Sequence, residues 1–242
     1  GTVRPDLLVV SGDLTQRARE DQFRAARAFL DRVPFPRIVV PGNHDVPLYD
    51  VFRRFAHPLE WYREYITEEL APFFADEEMA VLGINTARSL TWKNGRISTE
   101  QIGLIRERFC SVPAEDFKVL VTHHPFVAPP GREDEAVVGR AERMFLLVNE
   151  CSPDLALAGH FHTSYTGASH SVYTGQKGST LILQAGTAVS RRTRTEPNAW
   201  NAIRIEGGEV ELTVHAWNGS EFREHLTERF HRNGNLWEKS SG

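Results

Sequence analysis

The sequence lacks the features of several protein classes. It has two cysteines in 242 residues, Cys110 and Cys151, in stretches typical of helix ends. So few cysteines exclude a disulfide-rich scaffold. We expect a cytoplasmic protein, in which both thiols stay reduced. No run reaches the roughly 18 apolar residues of a membrane-spanning helix, so no association with a membrane is expected.

The sequence also has no large excess of positive or negative charge. The chain has 28 Lys and Arg against 32 Asp and Glu, a net charge of -4 and a pI near 6.2. Proteins that bind nucleic acid usually carry a basic surface, so a small substrate fits better than nucleic acid. Repeats and low-complexity linkers are missing. The prediction is one domain over residues 1–220, followed by a polar, helical or loose tail at 221–242.

The order of the predicted elements indicates the fold class. Up to about residue 160, short β-branched strands alternate with amphipathic helices, and the aromatic segment 50–74 is predicted to be mostly helical. Later segments are typical of strands, with Gly207-Gly208 as a hairpin turn. Alternation followed by a β-rich end predicts a layered α/β fold with a mixed sheet or two packed sheets.

Polar clusters follow the ends of predicted strands at 6–10, 37–40, 117–122 and 154–158. The clusters are Gly12-Asp13, Gly42-Asn43-His44-Asp45, His123-His124-Pro125 and Gly159-His160-Phe161-His162. In open α/β sheets, ligands bind beyond the carboxyl ends of the strands. We therefore expect these clusters to converge in space.

The residue types in the clusters indicate a metal site. Carboxylate, amide and imidazole donors together favour a divalent metal such as Mn, Fe or Zn over a soft thiolate centre. Because neighbouring side chains of an extended segment point to opposite faces, only one of His123 and His124 is expected in the site. His160 and His162 are two apart, so both can reach it. Asp13 taken alone would fit better as a residue that caps the next helix or bonds its own turn than as a metal ligand.

In this order and at these strand ends, the clusters resemble the calcineurin-like metallophosphoesterase family. The segment Leu14-Thr15-Gln16 after Asp13 is similar to its bacterial branch, which includes class III cyclic-nucleotide phosphodiesterases. The resemblance spans residues 6–205. It implies a four-layer α/β/β/α sandwich of two mixed β-sheets flanked by helices, with a dinuclear metal centre at the sheet edge.

The resemblance also implies a ligand set for two divalent metal ions. Asp13 would bridge both ions. Asn43, His123 and His160 would complete the shell of one ion, and His162 would bind the other. Two ions about 3.5–4 Å apart would polarise the phosphoryl oxygens and supply a hydroxide for in-line attack, so no protein nucleophile is required.

The resemblance also implies catalytic or substrate-binding roles for other residues. His44 would contact the phosphate and stabilise or protonate the leaving oxygen, held in place by Asp45, and Asn43 would also contact the substrate. Arg191 lies in a basic loop after a predicted strand. It either steers an anionic substrate or belongs to a solvated surface loop.

The chain departs from the family at its start. Family members open with a strand ending in Asp-x-His, which supplies two further ligands to the metal ion that His162 serves. Here the twelve residues before Asp13 contain no histidine. Asp6 lies at the far end of the same strand, about 23 Å away at roughly 3.3 Å per residue. We therefore expect a truncated chain without its first strand, in which the second metal site is incomplete.

The leading hypothesis for the function is hydrolysis of a phosphodiester or phosphomonoester. By resemblance to the branch, 3',5'-cyclic nucleotides are a candidate substrate. One alternative is a degenerate, catalytically weak metal-binding or scaffold protein of the same fold. The other is a nuclease, against which the acidic net charge weighs.

Overall fold

A computed structural model describes residues 3–90, 94–132, 134–135, 137–190 and 196–240. The helices are α1 (Glu20–Leu30), α2 (Val51–Ala56), α3 (Glu60–Tyr65), α4 (Thr99–Cys110) and α5 (Ala141–Leu147). The strands are β1 (Leu8–Val10), β2 (Arg37–Val39), β3 (Phe73–Ala75), β4 (Met79–Gly83), β5 (Phe117–Val121), β6 (Leu155–Ala158), β7 (Tyr165–Ala168), β8 (Leu181–Gln184), β9 (Ala199–Glu206), β10 (Glu209–Trp217), β11 (Phe222–Asn233) and β12 (Leu236–Lys239).

A six-stranded sheet forms one layer, with the order β3-β4-β5-β6-β8-β7. Strands β4, β5, β6 and β8 run parallel, and β3 and β7 pair antiparallel at the two edges. The parallel strands consist of almost entirely buried apolar runs, as expected for strands covered on both faces. The sequence predicted these strands but missed β3 and β7.

Two smaller sheets form the next layer. β1 and β2 pair in parallel, and β9 to β12 form an antiparallel sheet in the order β12-β11-β10-β9. Gly207 and Gly208 connect β9 to β10 with φ of 58° and 81°. These angles are those of the tight hairpin that was predicted there.

The predicted helical or loose tail over 221–242 is wrong. Residues 222–239 form β11 and β12, which pair with each other and with β10. Phe230 and Trp237 are buried against the core. Most other side chains of β11 are charged or polar and exposed. One face of an antiparallel sheet can face water, so polar residues are expected there. Because most residues of β11 are polar, its sequence lacks the apolar alternation that predicts a strand.

The layers stack as helix, sheet, sheet, helix. Helices α4 and α5 cover one face of the six-stranded sheet, where Phe109 and Met144 pack on Leu120. The other face packs on β2 and on the antiparallel sheet, with Val119 and Val214 in the same cluster. Helices α1 and α3 cover β1 and β2. The predicted α/β/β/α sandwich is confirmed. Among the described residues, no helix has the length and apolarity needed to cross a membrane.

The two cysteines form a disulfide, which corrects the expectation of reduced thiols. Cys110 ends α4 and Cys151 follows α5, and their Cα atoms lie 5.2 Å apart. The sequence could not reveal the pairing, because the two helices become neighbours only in the folded layer. Structural disulfides persist in oxidising compartments, so the cysteines no longer favour the expected cytoplasmic location.

Removal of this disulfide is expected to destabilise the protein. The bridge closes a loop over a sequence separation of 41 residues. A loop of this length corresponds to about 4 kcal/mol of chain entropy in the unfolded state. We expect Cys110→Ser to lower the free energy of unfolding by roughly 2–4 kcal/mol in urea denaturation without reductant. Reductant should destabilise the wild type and leave a Cys110→Ser/Cys151→Ser variant unchanged. Two free thiols in the non-reduced wild type would contradict the bridge.

Candidate metal centre

The loops after β1, β2, β5 and β6 meet at one edge of the sandwich. The Ser11 carbonyl lies 2.8 Å from Nδ1 of His123, which joins the loop after β1 to the end of β5. The Gly159 N–H donates to the His123 carbonyl at 3.0 Å and joins β6 to the same point. The expected convergence of the clusters is therefore present.

Four donor atoms lie close together in this place. Asn43 Oδ1 is 3.0 Å from both His123 Nε2 and His160 Nδ1, and these two nitrogens are 3.2 Å apart. Asp13 Oδ1 is 3.3 Å from His123 Nε2. Ligand atoms held at about 2.1 Å by one metal ion lie about 3.0–3.4 Å from each other. The donor set and its spacing therefore fit a divalent metal ion.

Burial keeps one imidazole in the protonation state that binds metal. His160 is partly exposed as a residue, but its ring is enclosed. Burial lowers the pKa of His160 to about 3, and the neighbouring His123 lowers this pKa by more than the nearby Asp13 raises it. The His160 ring is thus neutral at neutral pH, as a metal ligand must be.

His124 also enters the cluster, and the expectation that only one of the two neighbouring histidines would do so is wrong. Ligand nitrogens of His123, His124 and His160 all lie within 4.8 Å of one another. The His124 ring is fully buried, and its Nδ1 is 2.8 Å from the Thr86 hydroxyl. Strand β5 ends at Val121. The two-residue alternation of an extended strand therefore no longer applies at 123–124.

The histidine pair after β6 is not extended, in contrast to the expectation. His160 and His162 have φ of 76° and 59°, and Asp13 has 56°. This left-handed conformation costs a residue other than glycine on the order of 1–3 kcal/mol, and such strain is typical of functional sites. His162 lies close enough to His160 to contribute to its lowered pKa. Three of the predicted metal ligands thus have strained backbones.

Asp45 does not hold the His44 ring. The buried Asp45 carboxylate accepts hydrogen bonds from the N–H groups of Gly42 and Thr15 at 2.9 Å and of Leu14 at 3.2 Å. The Thr15 hydroxyl is also 2.9 Å from this carboxylate. Burial raises the pKa of Asp45 to about 6, and the negative charge of Asp13 adds to the shift. Asp45 therefore ties the loop after β1 to the loop after β2.

A backbone carbonyl orients the His44 ring instead. Nδ1 of His44 is 2.9 Å from the Gln16 carbonyl, and the His44 N–H donates to Asp13 Oδ1 at 3.0 Å. Because a carbonyl only accepts, Nδ1 carries the hydrogen and Nε2 is the nitrogen available for proton exchange. Sequence reasoning assigned no role in the site to Gln16, Thr15 or Thr86. Thr15 and Gln16 belong to the segment that follows Gly12-Asp13, whereas Thr86 follows β4 and lies next to none of the clusters in the sequence.

A cavity of about 700 Å³ lies between α2, α3 and the residues after β4, and Val46, Asn85 and Arg88 form part of its lining. Asp13, Asn43, His123 and His160 do not line it. The remaining predicted substrate contact, Arg191, lies outside the described residues.

The family and the relatives that sequence comparison identifies are phosphoesterases. The sequence profile described as "Calcineurin-like phosphoesterase" matches residues 2–164. The chain is 29% identical to a probable glycerophosphodiester phosphodiesterase GpdQ of Arcobacter nitrofigilis, over 66% of this chain and 57% of that protein. It is 23% identical to a probable cyclic nucleotide phosphodiesterase of a Synechococcus species, over 84% of this chain and 72% of the relative.

A solved structure has the same fold. A dimetal phosphatase from Danio rerio superposes with a TM-score of 0.61 at 14% identity, over 87% of this chain and 81% of that one. The match supports the sandwich architecture alone. The match covers just over half of the length of the GpdQ relative from Arcobacter nitrofigilis.

Proposed function

Because the chain belongs to the calcineurin-like phosphoesterase family, we propose that it hydrolyses a phosphate ester of a small molecule at the edge where the four loops meet. The observation that carries the proposal is the spacing of 3.0–3.3 Å among donor atoms of Asp13, Asn43, His123 and His160. Divalent metal ions bound there would withdraw charge from the phosphoryl oxygens and lower the pKa of water. His162 is the candidate ligand for a second ion, and Mn, Fe and Zn suit the donor set.

His44 is the proposed acid for the leaving oxygen. Its Nδ1–H is held by the Gln16 carbonyl, so Nε2 gives or takes the proton at the substrate. Its backbone N–H donates to Asp13, so the ring is fixed relative to a metal ligand. Asp45 and Thr15 hold the two loops in register, and their role is structural support for the ligands.

A phosphodiester is the proposed substrate class. Two of the chain's relatives are named as probable phosphodiesterases, one of glycerophosphodiesters and one of cyclic nucleotides.

Metal removal tests the proposal. A chelator should lower the hydrolysis of an aryl phosphodiester at least about 100-fold, since a metal ion contributes several kcal/mol and each ~1.4 kcal/mol is a factor of ten. Mn²⁺, Fe²⁺ or Zn²⁺ should restore the rate. Glycerophosphodiesters, cyclic nucleotides and phosphomonoesters assayed in parallel would define the substrate.

Two histidine variants provide the matched comparison. His160→Ala removes a proposed ligand and should be as inactive as the chelated protein. His170→Ala makes the same chemical change at an exposed position and should keep full activity. A wild-type chain that binds metal but hydrolyses none of these esters would favour the alternative of a metal-binding scaffold.

A further inference from the structure

Arg132 contacts the loop that carries two predicted metal ligands. It lies between β5 and α5, where its backbone N–H donates to the Pro129 carbonyl at 3.0 Å. Its side-chain Nη1 donates to the Phe161 carbonyl at 3.0 Å. The guanidinium also lies 5.9 Å from the centre of the Phe161 ring. Arg132 therefore bonds the residue between His160 and His162.

The loop needs an external support to keep its shape. His160 and His162 on either side of Phe161 both have positive φ, which residues other than glycine seldom adopt. The Phe161 carbonyl belongs to the peptide that leads into His162, so a bond to this oxygen fixes the plane between the two ligands. The buried Phe161 ring anchors the same residue from the side-chain direction.

The charge of Arg132 is partly balanced. Glu135 Oε1 lies 3.6 Å from the Arg132 guanidinium, and both side chains are partly exposed. An unbalanced cation beside a metal site would repel the metal ion. The neighbouring carboxylate reduces this repulsion while the hydrogen bond to the loop is kept.

We propose that Arg132 is a positioning residue, which holds the 160–162 loop in the conformation that binds metal. The proposal rests on the metal centre of the proposed function. Arg132 acts through the Phe161 carbonyl and not on the substrate phosphate. Residues that orient metal ligands typically contribute about 10–100-fold to metal affinity.

The test is the affinity of the metal-free full chain for Mn²⁺, measured by calorimetric titration. We expect Arg132→Ala to bind Mn²⁺ about 10–100-fold more weakly than the wild type. Arg132→Lys should recover part of the loss, because its ammonium can donate one hydrogen bond to the same carbonyl. Arg143→Ala removes an exposed arginine of α5 and should leave the affinity unchanged. The melting temperature of each metal-free variant gives a readout of general stability.

The outcomes separate the positioning role of Arg132 from the metal centre. Wild-type affinity in Arg132→Ala overturns the positioning role and leaves the metal centre intact. A loss of affinity that lysine does not reverse, and that matches a lowered melting temperature of the metal-free protein, also overturns it. If the wild type takes up no Mn²⁺, Fe²⁺ or Zn²⁺, the metal centre itself fails, and the positioning role fails with it.

Discussion

Replacement of Gly42 by alanine is expected to reduce metal affinity and phosphodiester hydrolysis at least about 100-fold. A Cβ atom built on Gly42 would lie 2.1 Å from Asp13 Oδ1 and 2.4 Å from the Asp13 nitrogen. Both distances are far shorter than a van der Waals contact, so the Asp13 carboxylate has to move by about 1 Å. A displacement of this size at a reacting centre costs on the order of 100-fold.

Steric contact alone is the cause of this effect. Gly42 has φ of -100° and ψ of -178°, a conformation that alanine adopts without strain. The loss therefore reports the position of Asp13, whose Oδ1 also accepts the His44 N–H. The loss in Gly42→Ala is measured as metal affinity by calorimetry and as kcat/KM for an aryl phosphodiester.

Gly103→Ala is the matched control. Gly103 lies inside α4, where a Cβ atom meets nothing within 4 Å. This substitution should raise the free energy of unfolding by about 0.5–1 kcal/mol, because glycine is a poor helix former. Activity should not change. Unaltered metal affinity in Gly42→Ala would remove Asp13 from the proposed ligand set.

The sequence predicted that the polar clusters meet at one edge because strand ends are visible in the residue pattern. Buried parallel strands are short apolar runs, and the polar clusters after β1, β2, β5 and β6 interrupt these runs sharply. The geometry of parallel sheets then brings the clusters to one edge. No detail of packing was needed for this step.

Side-chain orientation within the clusters could not be predicted in the same way. The expectations for His124 and for the 160–162 loop assumed extended backbone beyond the strand ends. His160 has a positive φ although it is not a glycine, so no residue type in the sequence signals this conformation. The bond from Arg132 to Phe161 spans 29 residues and leaves no periodic pattern.

Elements at the end of the chain were missed for a related reason. β11 has few buried positions, so its alternation is weak, and its strand character depends on pairing with β10. The Cys110–Cys151 bridge likewise depends on two helices that meet only after the sheet forms. Local residue preference decides little where tertiary pairing dominates.

Asp45→Asn is expected to destabilise the whole site. One carboxylate oxygen faces the Thr15 N–H and hydroxyl, and the other faces the Gly42 and Leu14 N–H groups. An asparagine amide group must turn its own N–H groups toward one of these sides. The Thr15 hydroxyl can rotate to accept, but a backbone N–H cannot. Each buried donor left without an acceptor costs about 1–3 kcal/mol.

We therefore expect Asp45→Asn to lower the free energy of unfolding by about 2–5 kcal/mol, together with a loss of metal affinity, because the loops of Asp13 and Asn43 lose their common support. Urea denaturation and calorimetry measure the two effects. Asp50→Asn is the control for the same chemical change. Asp50 caps α2 through a bond from the Arg53 N–H, and asparagine caps a helix equally well. Wild-type stability in Asp45→Asn, with a reduced kcat alone, would instead return Asp45 to the role of orienting His44.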